Sequence, residues 1–211
     1  MPGDPRDPSD VGAAKRELRQ RLRRDRRGRV PDPTAADRLA RAVLRLPEVG
    51  AARTVAAYVS GPGEPPTSAL IAALAARGVR VLLPVVLPDL DLDWALDDGM
   101  RLPGTGPGAL EPGGPRLGTG AVAGADVLVV PAMAVDLTGA RLGQGGGSYD
   151  RALARAAPAA LVVALVHRDE LLDDPVPVAD HDRPVDAVVT VARTVRFSGP
   201  APGAARRGSP P

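Results

Sequence analysis

The chain contains no cysteine, which excludes a disulfide framework, a zinc–thiolate site and a thiol nucleophile. Aromatic residues are nearly absent, with one Trp, two Tyr and one Phe in 211 residues. Binding of single strands by stacking has little to draw on, and no known DNA- or RNA-reading motif occurs. No apolar run approaches the ~20 residues needed to cross a bilayer, and the polar, proline-bearing N-terminus does not resemble a signal peptide. The expectation is a soluble cytoplasmic protein with neither membrane nor nucleic acid as partner. Lysine is scarce as well, since Lys15 is the one lysine among 27 basic residues. A lysine retained where arginine has otherwise taken over suggests a place that needs a compact ammonium charge rather than a planar fork.

What the chain does have is Ala, Val, Leu, Arg, Gly and Pro, with 24 glycines and 24 prolines. That bias resembles a drift toward GC-rich codons, so a single Arg or Gly carries little information by itself. The length suits one domain with a real core, and the net charge of +2 is close to balance despite a pI near 9.6. Composition divides the chain into a disordered N-terminus at 1–9, one domain over 10–197, and a disordered Gly/Pro/Arg tail at 198–211.

Taken in order, the segment from Asp10 reads as a helix with Leu18 and Leu22 on one face and arginines elsewhere as far as Arg29. Such a helix is either a solvated charged surface or a set of cations aimed at a polyphosphate or acidic partner. A second helix runs from Pro33 or Thr34 to Leu46, with Pro47 as its stop. Thr54–Val59 reads as a buried strand followed by a loop at 60–66. Thr67 or Ser68 caps the helix Ala69–Arg77, which ends at Gly78. Val79–Pro84 is the next strand, so a parallel βαβ unit is expected. Asp91–Leu96 alternates as an edge strand or hairpin arm, and Gly108–Pro112 reads as an ordered loop or flap. Asp126–Pro131, Ala159–Val166 and Ala187–Thr190 have the continuous apolar runs of buried strands. The sum is a three-layer α/β/α domain with a mostly parallel central sheet, Rossmann-like in topology and of the CoA-transferase type, binding ligands at the carboxyl ends of its strands.

The most chemically suggestive stretch is Arg141-Leu-Gly-Gln-Gly-Gly-Gly-Ser-Tyr-Asp150. Its glycines allow positive φ and close approach to a ligand. Set between the Asp126–Pro131 strand and a helix from Tyr149 to Ala157, the loop could aim several N–H groups at a phosphate. It is neither a dinucleotide fingerprint nor a Walker loop, because no Gly-Lys-Ser/Thr follows. Asp136, before Thr138 and Gly139, reads as turn chemistry, and His167 and His181 read as structural or surface residues.

An ordered set of pieces resembles the 5-formyltetrahydrofolate cyclo-ligase family, also called 5,10-methenyltetrahydrofolate synthetases. They are Lys15-Arg-Glu-Leu-Arg19, Val59-Ser-Gly-Pro-Gly-Glu64 with Thr67, and Trp94 with Gly-Ala-Leu-Glu-Pro112. Val129-Val-Pro-Ala-Met-Ala-Val-Asp136 then runs into Gly139–Arg151, and His181-Asp-Arg-Pro-Val-Asp186 leads into the last apolar strand. The resemblance covers nearly all of residues 13–190.

It implies an ATP- and Mg²⁺-dependent enzyme that converts 5-formyltetrahydrofolate to 5,10-methenyltetrahydrofolate through a phosphorylated formyl oxygen, and it is taken to act as a monomer. Lys15, Arg16, Arg19 and Arg141 are the implied ATP contacts, together with Gly143, Gln144, Gly145, Gly146, Gly147 and Tyr149. Arg141 and Tyr149 are the implied catalytic residues. Val59, Glu64, Gln144, Gly145, Gly146, Gly147 and Ser148 are the implied folate-binding residues, and Asp150 and Asp182 the implied Mg²⁺ ligands. Two positions depart from the family pattern. Ser148 stands where an aromatic residue is expected, and Gln144 stands where an aromatic or basic one is common. The alternative they leave open is a non-catalytic or substrate-shifted paralogue that binds a nucleotide or a pterin-like ligand on the same fold.

Overall fold

The computed structural model describes residues 8–104, 109–179 and 182–197. Residues 1–7, the tail from Ser198, Gly108 and His181 lie outside them, and so do the expectations placed there. The first helix, α1 (Pro8–Arg27), begins two residues before the expected Asp10. Proline in a first turn costs no helical hydrogen bond, which lets the helix start inside the proline-bearing segment. α2 (Ala35–Leu44) ends as expected near Leu46, but Pro47 is also a beginning, at the first position of a short α3 (Pro47–Ala51). Its fixed φ suits that position as well as it ends the preceding helix.

The rest of the chain continues as β1 (Thr54–Ala56), α4 (Ser68–Ala76), β2 (Arg80–Val86), β3 (Leu92–Leu96), β4 (Arg101–Pro103) and β5 (Leu110–Pro112). It then forms β6 (Val127–Pro131), β7 (Ala134–Asp136), β8 (Arg141–Leu142), α5 (Ser148–Arg155) and β9 (Leu161–Leu165). The last elements are β10 (Leu171–Leu172), β11 (Ala187–Val189) and β12 (Thr194–Arg196). Thr67 precedes α4 without capping it. Its hydroxyl donates instead to the Tyr58 carbonyl at 2.6 Å and accepts the Ser60 N–H at 3.1 Å, closing the 60–66 loop onto the end of β1.

Seven strands form the central sheet in the order β12-β11-β9-β6-β1-β2-β3. The inner pairings β11–β9, β9–β6, β6–β1 and β1–β2 are parallel, and the edge strands β3 and β12 are antiparallel. β1 is flanked by β2 on one side and by β6 on the other, with later strands added beyond β6, so the order reverses at β1. An open α/β sheet leaves a crevice at such a point, just past the carboxyl ends of the two strands that diverge there.

Side-chain alternation explains why both faces are covered. On β6, Val127 and Val129 face a core with Leu39, Val43, Leu70 and Leu74 of α2 and α4. Leu128 and Val130 face the opposite core with Ala152 and Leu153 of α5 and with Trp94. β9 divides the same way, Val163 and Leu165 to the first core and Val162 and Ala164 to the second. Strands buried on both faces read as continuous apolar runs, which is how they were legible in sequence.

A small three-stranded sheet, β10-β7-β8, was not anticipated. It supports α1, since Leu22 is buried with Met133, Ala134, Leu142 and Val176, and Leu18 packs against that group. The residues expected to be a loop or flap around Leu110 instead pair as β5 with β4. Asp136 ties the small sheet together. One of its oxygens accepts the N–H and hydroxyl of Thr138 and the N–H of Ala140, and the other accepts the N–H of Val176 at 2.8 Å.

Burial raises the Asp136 carboxyl, but those hydrogen bonds outweigh it and hold the group below its ordinary value. Its stabilisation is therefore complete above the unfolded pKa of about 3.9 and is lost as pH falls through the lower folded value. Asp136→Asn should lower the urea midpoint at pH 7 and reduce the loss of stability between pH 5 and about 2, compared with the unaltered chain. An identical acid slope in both proteins would contradict this role.

Candidate active site

The crevice at the sheet's reversal point is an open cleft of about 610 Å³. It is bounded by the chain leaving β1, the end of β6 at Pro131, the glycine loop between β8 and α5, one face of α1, and the β4–β5 hairpin. Lys15, Arg19, Val59, Glu64, Arg141, Gly143 to Gly147, Ser148, Tyr149, Asp150 and Asp182 all line it. Residues separated by more than 160 positions in sequence thus meet, as in the pairing of Lys15 with Asp182. Arg16 is the exception among the candidates. It is exposed and does not line the cleft, because one residue along a helix turns the side chain about 100° away from Lys15.

The cationic wall follows from the helix period. Lys15, Arg19 and Arg23 are spaced by four, so they share the α1 face that also buries Leu22. Lys15 Nζ donates to Asp182 Oδ2. Arg19 Nε donates to the Gly143 carbonyl at 2.8 Å, and Arg23 Nη2 donates to the Gln144 carbonyl at 2.9 Å. Burial and the neighbouring Arg23 lower the Arg19 pKa, against the opposite pull of Asp182 and Asp150. A guanidinium remains charged through such a shift. Arg23 is exposed and lies outside the cleft lining, holding the glycine loop from beyond it.

Arg141 belongs to β8 rather than to the glycine loop, so its backbone is held by pairing with Val135. Its Nη2 donates to Asp150 Oδ1. The Arg141 side chain is only 3% exposed, and its Nε is buried with no hydrogen-bond partner. A buried N–H without a partner is an exception among native polar groups.

Two glycines of the loop have identifiable reasons. A Cβ on Gly143 would approach Arg141 Nη1 to 3.0 Å, so the bare backbone leaves room for that guanidinium. Gly145 has φ +106, which side chains rarely adopt, and a Cβ there would press on the Arg19 guanidinium at 3.4 Å. Gly147 then stands at the N-cap of α5, whose first turn brings Asp150 into the cleft and offers a positive dipole end to anions.

The opposite wall is the chain after β1. The Tyr58 hydroxyl donates to the Pro65 carbonyl at 3.0 Å, and Glu64 Oε2 accepts the Gly61 N–H at 2.9 Å. Glu64 Oε1 faces Gln144 Nε2 across the cleft at 3.4 Å. Tyr149 packs against both core clusters. Burial, with Glu64 adding and Arg141 opposing, pushes its hydroxyl far above the ordinary tyrosine value. It is a neutral hydroxyl that can orient a ligand, not a base. Glu111 of β5 also lines the cleft, unanticipated as a site residue, and its Oε1 accepts the Val86 N–H at 3.2 Å. Trp94, on β3, is buried in the core and does not line the cleft.

Among the described residues no group of three or more His, Cys, Asp and Glu gathers into a metal cage. Mg²⁺ does not require one, since it is commonly held by one or two carboxylates with phosphates and water completing its shell. Asp150 and Asp182 are hard oxygen donors lining one cleft, so the donor set fits Mg²⁺. In this structure both carboxylates are engaged by cations, Arg141 and Lys15.

The chain is similar to known proteins over most of its length. The chain is 45% identical over 152 residues to the 5-formyltetrahydrofolate cyclo-ligase of Mycolicibacterium smegmatis, covering 68% of this chain and 76% of that protein. It is 32% identical over 187 residues to the Escherichia coli protein of the same name, covering 82% and 97% of the two chains. The solved structure of Aquifex aeolicus 5,10-methenyltetrahydrofolate synthetase superposes with a TM-score of 0.74 at 26% identity, over 88% of this chain and 94% of that one. A Mycoplasma pneumoniae 5,10-methenyltetrahydrofolate synthetase shares the fold, with a TM-score of 0.64 at 16% identity over 82% and 96% of the chains. Residues 11–191 match the family's pattern from the first helix to just past the last parallel strand, and the chain belongs to the 5-formyltetrahydrofolate cyclo-ligase family.

Proposed function

We propose that this chain is an ATP- and Mg²⁺-dependent cyclo-ligase that converts 5-formyltetrahydrofolate to 5,10-methenyltetrahydrofolate, acting as a cytoplasmic monomer. The observation that carries the proposal is the convergence of Lys15, Arg19, Arg141, the glycine loop and two carboxylates on one cleft, in a chain of this family. Phosphoryl transfer needs positioning and charge neutralisation more than a protein nucleophile, and the cleft offers that set of groups.

The chemistry explains the residue types. A formamide oxygen is a poor leaving group. Transfer of the γ-phosphoryl breaks its bond to the ADP oxygen and forms a P–O bond to the formyl oxygen, leaving a carbon open to attack. The N10 lone pair then forms a C–N bond, N10 gives up its proton, and the C–O bond breaks with its electrons leaving on phosphate. Lys15, Arg19 and the Arg141 guanidinium bind the phosphate oxygens, and the Gly143–Gly147 backbone follows the polyphosphate closely. Asp150 and Asp182 would hold Mg²⁺, which supplies neutralisation of the phosphate charge when bound. Glu64, Val59 and Gln144 bound the folate side, and the neutral Tyr149 hydroxyl orients the reacting groups. Arg16 lies outside the cleft lining.

The test is an assay with purified protein that follows methenyltetrahydrofolate absorbance while ATP and 5-formyltetrahydrofolate are varied. Turnover should require ATP, stop with chelator and return with Mg²⁺. Absence of product at high enzyme concentration would refute the proposal. Lys15→Ala and Arg141→Ala should each lower kcat/KM by about 10²–10³, the effect of losing one preorganised donor to a transition-state oxyanion. Lys15→Arg should recover little of this, because a planar fork does not replace a point charge.

A second reading is motivated by Ser148 and Gln144, which line the cleft. It is a relative that binds nucleotide without turning over this folate. ATP binding by calorimetry with no product would favour it. Under the first reading, Ser148→Tyr should lower the folate KM about 3–10-fold, as an added aromatic contact of roughly 0.5–1.5 kcal/mol would. An unchanged KM would mean that position 148 does not face the substrate.

A further inference from the structure

The cations of α1 are useful only if the helix sits at the right depth and rotation, and the contact that sets this lies outside the cleft. Arg26 follows Lys15 by eleven residues and Arg19 by seven. At 3.6 residues per turn all three project within about 40° of one another, with Lys15 about 16 Å along the axis from Arg26. Arg26 Nε donates to Glu170 Oε1 at 2.8 Å, and its Nη2 donates to Glu170 Oε2 at 3.0 Å and to the Ala132 carbonyl at 2.6 Å. The pair is deeply buried, with side-chain exposures of 8% and 1%. A two-point fork of this kind constrains direction as well as distance.

Glu170 reaches the other wall too. Its Oε2 accepts the His167 N–H at 2.9 Å. His167 Nε2 lies 3.0 Å from the Gly63 carbonyl oxygen, one residue before Glu64, so the Nε2–H tautomer donates to the loop that carries Glu64. Neither Arg26 nor Glu170 lines the cleft. Glu170 is therefore a single buried carboxylate tied to the cationic helix on one side and to the Glu64 loop on the other.

We propose that Glu170 is a positioning residue for the reaction. Its Arg26 arm sets how far Lys15 and Arg19 reach into the phosphate side, and its His167 arm sets where the Glu64 loop stands on the folate side. The assignment of ATP to one wall and folate to the other rests on the function proposed above. A shift of α1 changes how Lys15 and Arg19 meet bound phosphate, so an anchor about two turns beyond Arg19 is felt in the cleft as altered ATP affinity.

The two arms can be separated experimentally. The double variant Arg26→Gln/Glu170→Gln removes the ionic fork without leaving a lone buried charge. With ATP and 5-formyltetrahydrofolate varied independently, it should raise the ATP KM and the calorimetric ATP Kd about tenfold or more while kcat at saturation stays within about threefold. His167→Ala should raise the folate KM about threefold and leave the ATP KM unchanged, the size of one lost hydrogen bond. A cooperatively melting double variant with unaltered ATP affinity overturns the proposal, and so does His167→Ala with both KM values unaltered. If the double variant does not fold, Arg26→Lys keeps the charge but loses the fork, and an unaltered ATP KM in it overturns the proposal equally. An unaltered chain that binds no ATP would defeat the functional reading itself, whereas an active chain with unresponsive variants would defeat only the role of Glu170.

Discussion

The structure depends first on β1 lying parallel to β2 on one side and to β6 on the other. That pairing sends later strands outward beyond β6 and leaves the ends of β1 and β6 diverging around a crevice. Three walls of the cleft are hung on this divergence. The Glu64 loop leaves β1, Pro131 ends β6, and the small sheet that follows β6 delivers Arg141. Burial of both sheet faces holds the divergence in place, because the strands at its centre alternate between two closed cores.

Inside the cleft the main physical problem is charge. Lys15, Arg19 and Arg141 face Asp150, Asp182 and Glu64, so opposite charges already stand close together. Partly dehydrated charges are tolerated because they are paired. A polyanion entering the cleft finds cations whose positions are set by β8 and by the face of α1. Preorganisation matters more here than the number of charges, since donors that need not move at the moment of reaction are worth more than those that must.

The wall opposite α1 carries fewer cations than the α1 wall. Gln144 meets Glu64 across the opening, and Ser148 occupies the exit of the glycine loop. Both lie on segments whose backbone is set by glycines and by the start of α5, so side chains there can vary without disturbing the sheet.

Much of this was legible in the chain itself. Continuous apolar runs identified β6, β9 and β11, the period of α1 put Leu18 and Leu22 on one side, and the glycine loop announced a close approach of backbone to something else. The small β10-β7-β8 sheet was not legible, because strands of two or three residues carry no periodic signal. Nor was the exclusion of Arg16 from the cleft, since adjacent basic residues look alike until the buried face of the helix is known. Local pattern therefore determined which elements form and which residue types could meet a phosphate. The meeting itself, of Lys15 with Asp182, Arg141 with Asp150 and Arg26 with Glu170, was decided by tertiary structure alone. Those partners are brought together by strand order and layer packing, which depend on contacts distant in sequence.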